Sequence, residues 1–292
     1  MTDARTLTLD AGGRWAGRYG TAPCPVCQPE RRRGQNALTL ADGSGGRLLA
    51  HCKKGCAFRD VAAAMGLTGG AFAPPDPAEA ERRRAAERAK AKKKAAQARR
   101  CWAEAAPIAG TLAERYLRGR GVTAALGEAL RFHPGCWHGP TARRLPAMVA
   151  RVDGAEGFAI HRTYLAPDGR GKAPVEPAKM MLGATAGGAV RLADTPGPLV
   201  VSEGIETALS LASGLLPNPP GLWAALSASG MAALRLPREP GRLVVAPDGD
   251  RAGRGAAHVL AERASIEGWR VSLLTPPEGG DFNDLLTGRA AA

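Results

Sequence analysis

The stretch LVVAPDGD, residues 243–250, carries the strongest fold signal in this sequence of 292 residues. Its apolar half contains two adjacent valines and runs directly into Pro247, Asp248, Gly249 and Asp250. This pattern predicts a buried β-strand that ends in two carboxylates on a glycine turn. Two aspartates at positions i and i+2 can face one hard divalent cation, although an Asp-Gly turn after a strand is also common without any metal.

The last third of the sequence alternates between strand-like and helix-like segments. Strands are predicted at 199–201, 222–226, 243–246 and 270–274, and helices at 205–213, after Ser229 and at 252–267. This βαβαβαβ order predicts a doubly wound parallel sheet of the α/β class, with its chemistry at the carboxyl ends of the strands.

Several carboxylates follow the predicted strands of this segment. They are Glu203, Asp248, Asp250, Asp281 and Asp284. If these side chains converge on one edge of the sheet, their negative charges repel one another unless a cation neutralises them. A site made only of oxygen ligands favours Mg²⁺ or Mn²⁺ over zinc.

Four of the six cysteines have the spacing of a metal site. Cys24 and Cys27 form a C-x2-C pair, and after 24 intervening residues Cys52 and Cys56 form a C-x3-C pair. Segments 36–40 and 47–51 predict two strands between the pairs, so a β zinc ribbon with one structural zinc ion is expected. His51 is an alternative to Cys52 as a ligand, and four unrelated buried thiols are the other interpretation.

The charge of the chain is strongly positive and unevenly placed. The formal net charge is +13, and the first 198 residues hold 32 Lys and Arg against 17 Asp and Glu, whereas the rest hold 8 against 10. A basic excess of this size indicates a polyanionic partner, nucleic acid before membrane. The N-terminus shows no signal peptide pattern and no apolar run is long enough to span a bilayer, so we expect a cytoplasmic protein.

The middle of the chain contains two basic regions. Residues 79–100 hold 10 basic and 3 acidic residues, which predicts a solvated charged helix or tether that contacts phosphate weakly. Further on, His161, Arg162, Lys172 and Lys179 surround one predicted hairpin. This set is either ordinary surface charge or a cradle for phosphates, in which Arg supplies forked donors and Lys point charges.

Together these motifs resemble a known family. Glu203-Gly204 after one strand and Asp248-Gly249-Asp250 after a later strand resemble the Toprim fold of primases, topoisomerases and some nucleases. The cysteine pattern is similar to the zinc-binding domain of bacterial and phage primases, and the segments HRTYL, DGRGK and KMMLG look like the basic half of a primase core. The whole resembles a phage or plasmid Toprim primase without a fused helicase.

The resemblance implies four regions. They are a zinc ribbon at 1–70, a basic helical linker at 71–106, a mixed α+β basic part of the primase core at 107–196 and the Toprim domain at 197–292. It also implies synthesis of RNA primers from ribonucleoside triphosphates on a single-stranded DNA template. Because the sequence has no Walker-type loop, unwinding is expected from a separate helicase.

The resemblance further implies roles for individual residues. Asp248, Asp250 and a third carboxylate, Asp281 or Asp284, would bind Mg²⁺, and Glu203 would be a further ligand or help to activate the 3′-hydroxyl. Phosphates would be bound by Arg162, Lys172 and Lys179, and also by Lys53 and Lys54 beside the zinc site. Trp15 or Tyr19 would be available to stack on bases.

One position departs from the family pattern and leaves rivals open. Replicative primases usually have an acidic residue four positions after the glutamate of the first motif, and here that position is Thr207, beside Glu206. The number of metal ions is therefore open. A Toprim nuclease and a non-catalytic zinc-dependent DNA-binding factor are the alternative functions, whereas a topoisomerase would need a large cleavage domain with its own nucleophilic tyrosine.

Overall fold

A computed structural model describes residues 3–32, 34–43, 47–67, 77–194, 196–216, 221–277 and 280–288, without the side chains at 77–80 and 83. The chain divides into two units, Met1–Arg83 and Arg84–Ala292. The predicted turn at 41–46 and the predicted linker start at 71–76 lie wholly or partly outside the described residues.

The first unit is built on a small antiparallel sheet. Its elements are helix α1 (Ala4–Asp10), strands β1 (Arg14–Trp15), β2 (Gly20–Ala22), β3 (Leu38–Asp42) and β4 (Leu48–Cys52), and helix α2 (Phe58–Ala64). The strands pair in the order β1-β2-β3-β4. The predicted strands around the cysteines and the helix after them are confirmed.

Helix α1 was not predicted, because residues 1–20 have little apolar periodicity. Its start is fixed by Asp3, whose carboxylate accepts a hydrogen bond of 2.6 Å from the Thr6 amide. The helix packs closely on β2, since a Cβ atom at Gly20 would lie 2.1 Å from Thr8 Oγ1. A capping aspartate and this glycine were the available signals for the helix.

Helix α3 (Pro77–Glu104) occupies the region predicted as a linker. Most of its described side chains are exposed, as the basic composition predicts. Its last turns differ, because Ala98 is buried and Cys101 and Trp102 pack with it against the sheet that follows. This end of α3 is therefore part of the second unit's core.

The middle of the chain forms an antiparallel sheet. Its elements are β5 (Ala106–Pro107), helix α4 (Leu112–Gly119), β6 (Leu130–His138), β7 (Arg143–Val152), β8 (Ala159–Tyr164) and β9 (Lys179–Leu182). The strands follow one another in the order β5-β6-β7-β8-β9. This is the mixed α+β basic part that the sequence predicted.

The C-terminal segment forms the predicted α/β sheet. Its elements are β10 (Val190–Asp194), β11 (Leu199–Ser202), α5 (Ile205–Ser210), a π-type turn (Leu211–Leu215), β12 (Gly221–Ala224), α6 (Ala228–Ala232), β13 (Arg242–Ala246), α7 (Arg251–Ile266), β14 (Arg270–Leu273) and α8 (Phe282–Leu286). In the order β10-β12-β11-β13-β14, only β10 runs antiparallel to its neighbour. Strand β10 was placed in the preceding region at 107–196, but its hydrogen bonds join it to this sheet.

The two sheets of the second unit share one core. Alternate residues of β7 separate its two faces: Met148, Ala150 and Val152 pack with residues of the C-terminal sheet, whereas Ala147 and Val149 pack with the end of α3. One face of the antiparallel sheet is therefore turned toward the α/β segment and the other toward α3. Within the described part of the chain, no helix combines the length and apolar character needed to cross a membrane.

Candidate functional site

The four spaced cysteines of the first unit form one cluster. One sulfur from each of Cys24, Cys27, Cys52 and Cys56 lies within 4.8 Å of the others. Cys52 is buried at the end of β4, whereas the adjacent His51 is exposed because successive side chains of a strand point to opposite faces. The alternative with His51 as a ligand is therefore excluded by the geometry.

The donor set fits a zinc ion. Sulfurs bound at about 2.3 Å to a tetrahedral zinc ion lie about 3.8 Å from one another, and the sulfurs of Cys27 and Cys52 are 3.6 Å apart. Burial by itself raises the pKa of Cys52, but the Cys56 and Lys54 amides lower it to about 7. Lys53 and Lys54 are exposed beside Cys52.

The second cluster lies at the carboxyl edge of the parallel sheet. Strands β11 and β13 are hydrogen-bonded neighbours, and Ser202 pairs with Ala246 at their ends. Glu203 and Asp248 consequently follow two adjacent strands at the same edge. Asp250 stands at the start of α7, where its carboxylate accepts a hydrogen bond of 2.7 Å from the Gly253 amide.

Glycines allow this edge to be packed closely. A Cβ atom at Gly249 would lie 2.5 Å from the Gly280 carbonyl oxygen and 2.6 Å from that of Pro277. At Gly253 a Cβ atom would lie 2.7 Å from the Asp248 carbonyl oxygen and 3.0 Å from Glu203 Oε2. Position 249 between the two aspartates and position 253 in the first turn of α7 therefore favour glycine.

The electrostatics of Glu203 indicate a carboxylate whose negative charge is poorly compensated. Burial, followed by the charges of Asp248 and Asp250, raises the pKa of Glu203 to about 7. Its Oε2 atom is buried and has no hydrogen-bond partner. The pKa of Asp248 is also raised, first by burial and then by Asp281 and Asp250, although a hydrogen bond from Thr207 opposes this. A divalent cation would satisfy this arrangement.

Thr207 has a direct contact with the acidic cluster. Its hydroxyl donates a hydrogen bond of 3.1 Å to Asp248 Oδ1. The position at which a replicative primase would have an acidic residue thus holds a donor that orients one of the remaining carboxylates.

Asp281 and Asp284 form the capping box of α8. Asp281 accepts hydrogen bonds from the Asn283 and Asp284 amides at 2.8 and 2.9 Å, and Asp284 Oδ2 accepts one from the Asp281 amide at 3.3 Å. Asn283 anchors this helix by donating to the Arg120 carbonyl oxygen at 2.7 Å. Of the two aspartates, Asp281 is close enough for its charge to raise the pKa of Asp248.

The acidic cluster is wider than the cysteine cluster. Among groups of three or more His, Cys, Asp or Glu side chains in the described residues, only the four cysteines have ligand atoms that all lie within 4.8 Å of one another. The assignment of magnesium to Glu203, Asp248, Asp250, Asp281 and Asp284 stays a prediction.

A buried ion pair borders the acidic edge. Lys179 Nζ lies 3.0 Å from Glu206 Oε2, and the Tyr116 hydroxyl donates a hydrogen bond of 2.9 Å to Glu206 Oε1. Burial raises the pKa of Glu206, but the charge and hydrogen bond of Lys179, a main-chain hydrogen bond and the charge of Lys172 together outweigh it and bring the pKa to about 2. No local sequence pattern predicts this pair, because Lys179 lies on β9 and Glu206 on α5.

The predicted cationic set around the hairpin is divided by the sheet. Burial and the nearby charge of Lys179 lower the pKa of His161 to about 4, so this ring is neutral near pH 7. The charges of Lys172 and Lys179 both act on Glu206. Arg162 points to the opposite face, where its two terminal nitrogens donate to the Trp137 and Met181 carbonyl oxygens. Only Lys172 and Lys179 therefore border the acidic edge.

Family comparison assigns the C-terminal segment. Residues 198–292 match the family model described as Toprim domain. This segment is a Toprim domain. The predicted fold of this region, with its parallel sheet and flanking helices, is thereby confirmed. Residues 92–192, which include the antiparallel sheet, match a family model described as a domain of unknown function (DUF7146). No curated protein matches the sequence.

Solved structures with some likeness to the chain include DNA primase domains. A DNA primase domain from Pseudomonas aeruginosa has 20% identity and a TM-score of 0.39, covering 62% of this chain and 68% of that one. The primase fragment of the bacteriophage T7 primase-helicase protein has 13% identity and a TM-score of 0.39, with 64% and 71% covered. The zinc-binding and RNA polymerase domains of Aquifex aeolicus primase have 13% identity and a TM-score of 0.40, with 99% and 83% covered. Likeness at this level does not assign a function.

Replacing one cysteine tests the zinc cluster. We expect Cys52→Ser to reduce bound zinc from one equivalent to nearly none, because structural zinc needs four ligands. The measurement is the zinc content of purified protein after dialysis. His51→Ala is the matched control and should keep one equivalent. Retention of zinc by the cysteine variant together with its loss in the histidine variant would show that the ligand set is wrong.

Because the pKa of Glu203 is raised, replacing its carboxylate by a neutral side chain should increase stability. The size of the increase should depend on pH. The folded state holds this proton more tightly than the unfolded state, so stability is lost as pH rises from about 4.5 through the folded pKa of about 7. Without added magnesium at pH 8, Glu203→Gln should raise the free energy of unfolding by about 1–3 kcal/mol. Urea denaturation at pH 5 and pH 8 measures this, and the gain should shrink at pH 5.

Glu206→Gln is the matched control for that experiment. Its pKa is lowered in the folded protein, so the same substitution removes a stabilising ion pair and should lower stability at pH 8. Equal effects of the two substitutions would contradict the assigned charges.

The close packing at Gly249 predicts a large effect of one methyl group. Gly249→Ala should lower the free energy of unfolding by about 1–3 kcal/mol, because backbone oxygens near the new Cβ have to move. Thermal or urea denaturation measures this. Gly255→Ala is the control, since Gly255 is an exposed residue of α7 with open space around it. That control should gain roughly 0.5–1 kcal/mol from helix propensity. A Gly249→Ala variant as stable as the control would contradict the described packing.

Proposed function

We propose that this protein is a DNA primase that joins ribonucleotides on a single-stranded DNA template by Mg²⁺- or Mn²⁺-dependent nucleotidyl transfer. The observation that carries the proposal is the Toprim carboxylate edge, with Glu203 and Asp248 on adjacent strands, bordered by two lysines from the basic sheet. Negative charge that needs a cation therefore lies beside positive charge that suits a triphosphate.

The carboxylates are the proposed ligands of the catalytic metal. Asp248 and Asp250 would hold it together with Asp281, which is favoured over Asp284 because its charge reaches Asp248. When bound, Mg²⁺ supplies neutralisation of the charge on the attacking and leaving oxygens. Thr207 keeps the Asp248 carboxylate oriented through its hydrogen bond of 3.1 Å.

Glu203 has the properties of a group that exchanges protons near neutral pH. Its pKa is raised to about 7 by burial and by the neighbouring aspartates, and Oε2 has no partner. In the proposed reaction it accepts the proton of the 3′-hydroxyl or coordinates the metal directly. A carboxylate with a pKa near the working pH suits the first role.

Lys172 and Lys179 are the proposed phosphate-binding residues. Lys179 is held by Glu206 at 3.0 Å and so stays beside the carboxylate edge. Its three donor hydrogens leave room for a phosphate oxygen in addition to Glu206. The pKa of Lys172 is lowered by partial burial and by the charge of Lys179, so an anion between the two lysines would relieve their repulsion.

The first unit is proposed to contact the template. Its cysteine cluster would hold zinc, and Lys53 and Lys54 lie exposed next to the cluster, where phosphate can reach them. A separate replicative helicase would supply single-stranded DNA in the cytoplasm. A phage, prophage or plasmid replication system is the proposed setting.

A primer-synthesis assay tests this function. The zinc-loaded protein is incubated with single-stranded DNA, labelled ribonucleotides and Mg²⁺, and the products are separated by size. We expect short RNA products, and Asp248→Ala should reduce their yield by at least a hundredfold, on the order of the 2.7–4 kcal/mol typical for lost electrostatic stabilisation. Glu239→Ala removes an exposed carboxylate of the same domain and should leave the yield unchanged.

The same assay separates the rival functions. Degradation of the DNA without RNA products would indicate a Toprim nuclease. Intact DNA, no product and binding that persists after removal of Mg²⁺ would indicate a DNA-binding factor. A parallel reaction with deoxyribonucleotides establishes which sugar the site accepts.

A further inference from the structure

A second basic site lies on the face of the antiparallel sheet that is turned away from the Toprim carboxylates. It is a cavity of about 580 Å³ between the end of α3 and strands β6 to β9. Its lining includes Lys93, Arg100, Arg144, Arg162 and Trp137. Because side chains alternate between the two faces of a strand, the cavity lies on the opposite face from the proposed catalytic edge. The proposed function therefore gives these residues no role.

The cavity has more positive than negative charge. Four cations line it, against the single carboxylate of Glu104. That carboxylate is already engaged, since one oxygen lies 3.0 Å from Arg100 Nε and the other 3.2 Å from His133 Nε2. The remaining cations therefore favour an anionic ligand.

Arg162 is the strongest sign of a missing ligand. The residue is only 7% exposed, and none of the ion pairs among the described residues includes it. Its Nη1 and Nη2 donate to main-chain carbonyl oxygens at 3.2 and 3.3 Å, while its buried Nε has no partner. A buried cation that pairs with none of the described carboxylates is costly, and a bound anion would reduce that cost.

Two thiols lie in the same wall as Arg162. Cys101 and Cys136 line the cavity with their sulfurs 3.6 Å apart. The hydrogen bond between the two thiols lowers the pKa of Cys136 and raises that of Cys101, and the charge of Arg162 favours the ionised form of either, so the pair ionises at most once. Even with a thiolate at Cys136, the cations of the cavity outnumber its anions.

The same cavity offers a surface for an aromatic ring. Trp137 lies at its wall with half of its side chain exposed, and Met180 and Leu182 add apolar surface. Exposed tryptophan beside arginine is the combination that binds single-stranded nucleic acid, because the indole stacks on a base and the cations bind the backbone. A base pair inside a duplex could not reach such a recess, since its bases are already stacked and paired.

We propose that this cavity binds one unpaired nucleotide, with the base against Trp137 and the phosphate at Arg144 and Arg162. The bound nucleotide belongs to a single strand that continues along the exposed cations of α3, which include Lys90, Lys94 and Arg99. A free mononucleotide has the same chemistry and is the alternative source of the ligand. The site is independent of catalysis at the Toprim edge.

Photocrosslinking tests the proposal. The zinc-loaded full chain is irradiated with a 12-nucleotide oligothymidylate that carries 5-iododeoxyuridine, and the crosslinked residues are identified by mass spectrometry. We expect crosslinks to Trp137 or Met180, both in the wild-type chain and in Asp248→Ala. In the primase proposal the Asp248→Ala variant makes almost no primers. A crosslink in this variant therefore tests the nucleotide site independently of primer synthesis, so failure of one proposal is distinguishable from failure of the other.

Binding measurements supply matched variants. Trp137→Ala and Arg144→Ala should each weaken oligothymidylate binding by about fivefold to a hundredfold, as expected for loss of one stacking partner or one phosphate contact. Both side chains are exposed, so neither variant should unfold. Arg238→Ala removes an exposed arginine of the Toprim domain and should change binding less than twofold.

Competition arms identify the source of the nucleotide. Loss of the crosslink on addition of unlabelled oligothymidylate, but not of thymidine monophosphate, supports the strand, and comparison with oligouridylate establishes the sugar preference. Loss of the crosslink with the monophosphate alone supports a mononucleotide site. Crosslinks confined to other regions, together with unchanged binding by the Trp137 and Arg144 variants, would overturn the proposal.

Discussion

Repulsion among carboxylates at one sheet edge is the constraint on which the second unit depends. The register that pairs Ser202 with Ala246 makes Glu203 and Asp248 neighbours, and the first turn of α7 brings Asp250 to the same place. Two features reduce the repulsion. The pKa of Glu203 is raised to about 7, so part of its charge is lost near neutral pH, and the Thr207 hydroxyl donates a hydrogen bond to Asp248. Such an arrangement costs stability unless a cation binds, which is why it is better explained by function than by folding.

The antiparallel sheet supplies the opposite charge in a fixed position. Lys179 extends from an edge strand to Glu206 of α5, and Tyr116 of α4 binds the same carboxylate. This network joins three elements from two parts of the unit around one buried acid. It also explains why Glu206, although adjacent to the position of the missing acidic residue, does not replace it: its charge is already compensated by Lys179.

Local patterns predicted much of this molecule. Three features could be predicted because each depends on neighbouring residues. They are the cysteine spacing, the strand that leads to Asp248, and the alternation of strands and helices in the Toprim domain. Features that depend on distant contacts could not be predicted. The attachment of β10 to the C-terminal sheet and the pairing of Lys179 with Glu206 both arise from tertiary packing. The capping of α8 by Asp281 and Asp284 is local, and the spacing of these two aspartates is its sequence signal. Treating His161 and Arg162 as one cationic set overlooked the alternation of side chains along a strand.

Because of this alternation, the composition of the two faces depends on the register of strand β8. His161 and Arg162 are consecutive, yet one lies on the side of the Toprim carboxylates and the other lines the cavity beside α3. Their separation depends on hydrogen bonds that pair Ala150 with His161 and Val149 with Arg162. A slip of this strand by a single residue would exchange the two faces, burying a guanidinium beside Lys179 and presenting a neutral imidazole to the cavity. The identity of both surfaces is thus encoded in the alignment of two adjacent backbones rather than in the side chains alone.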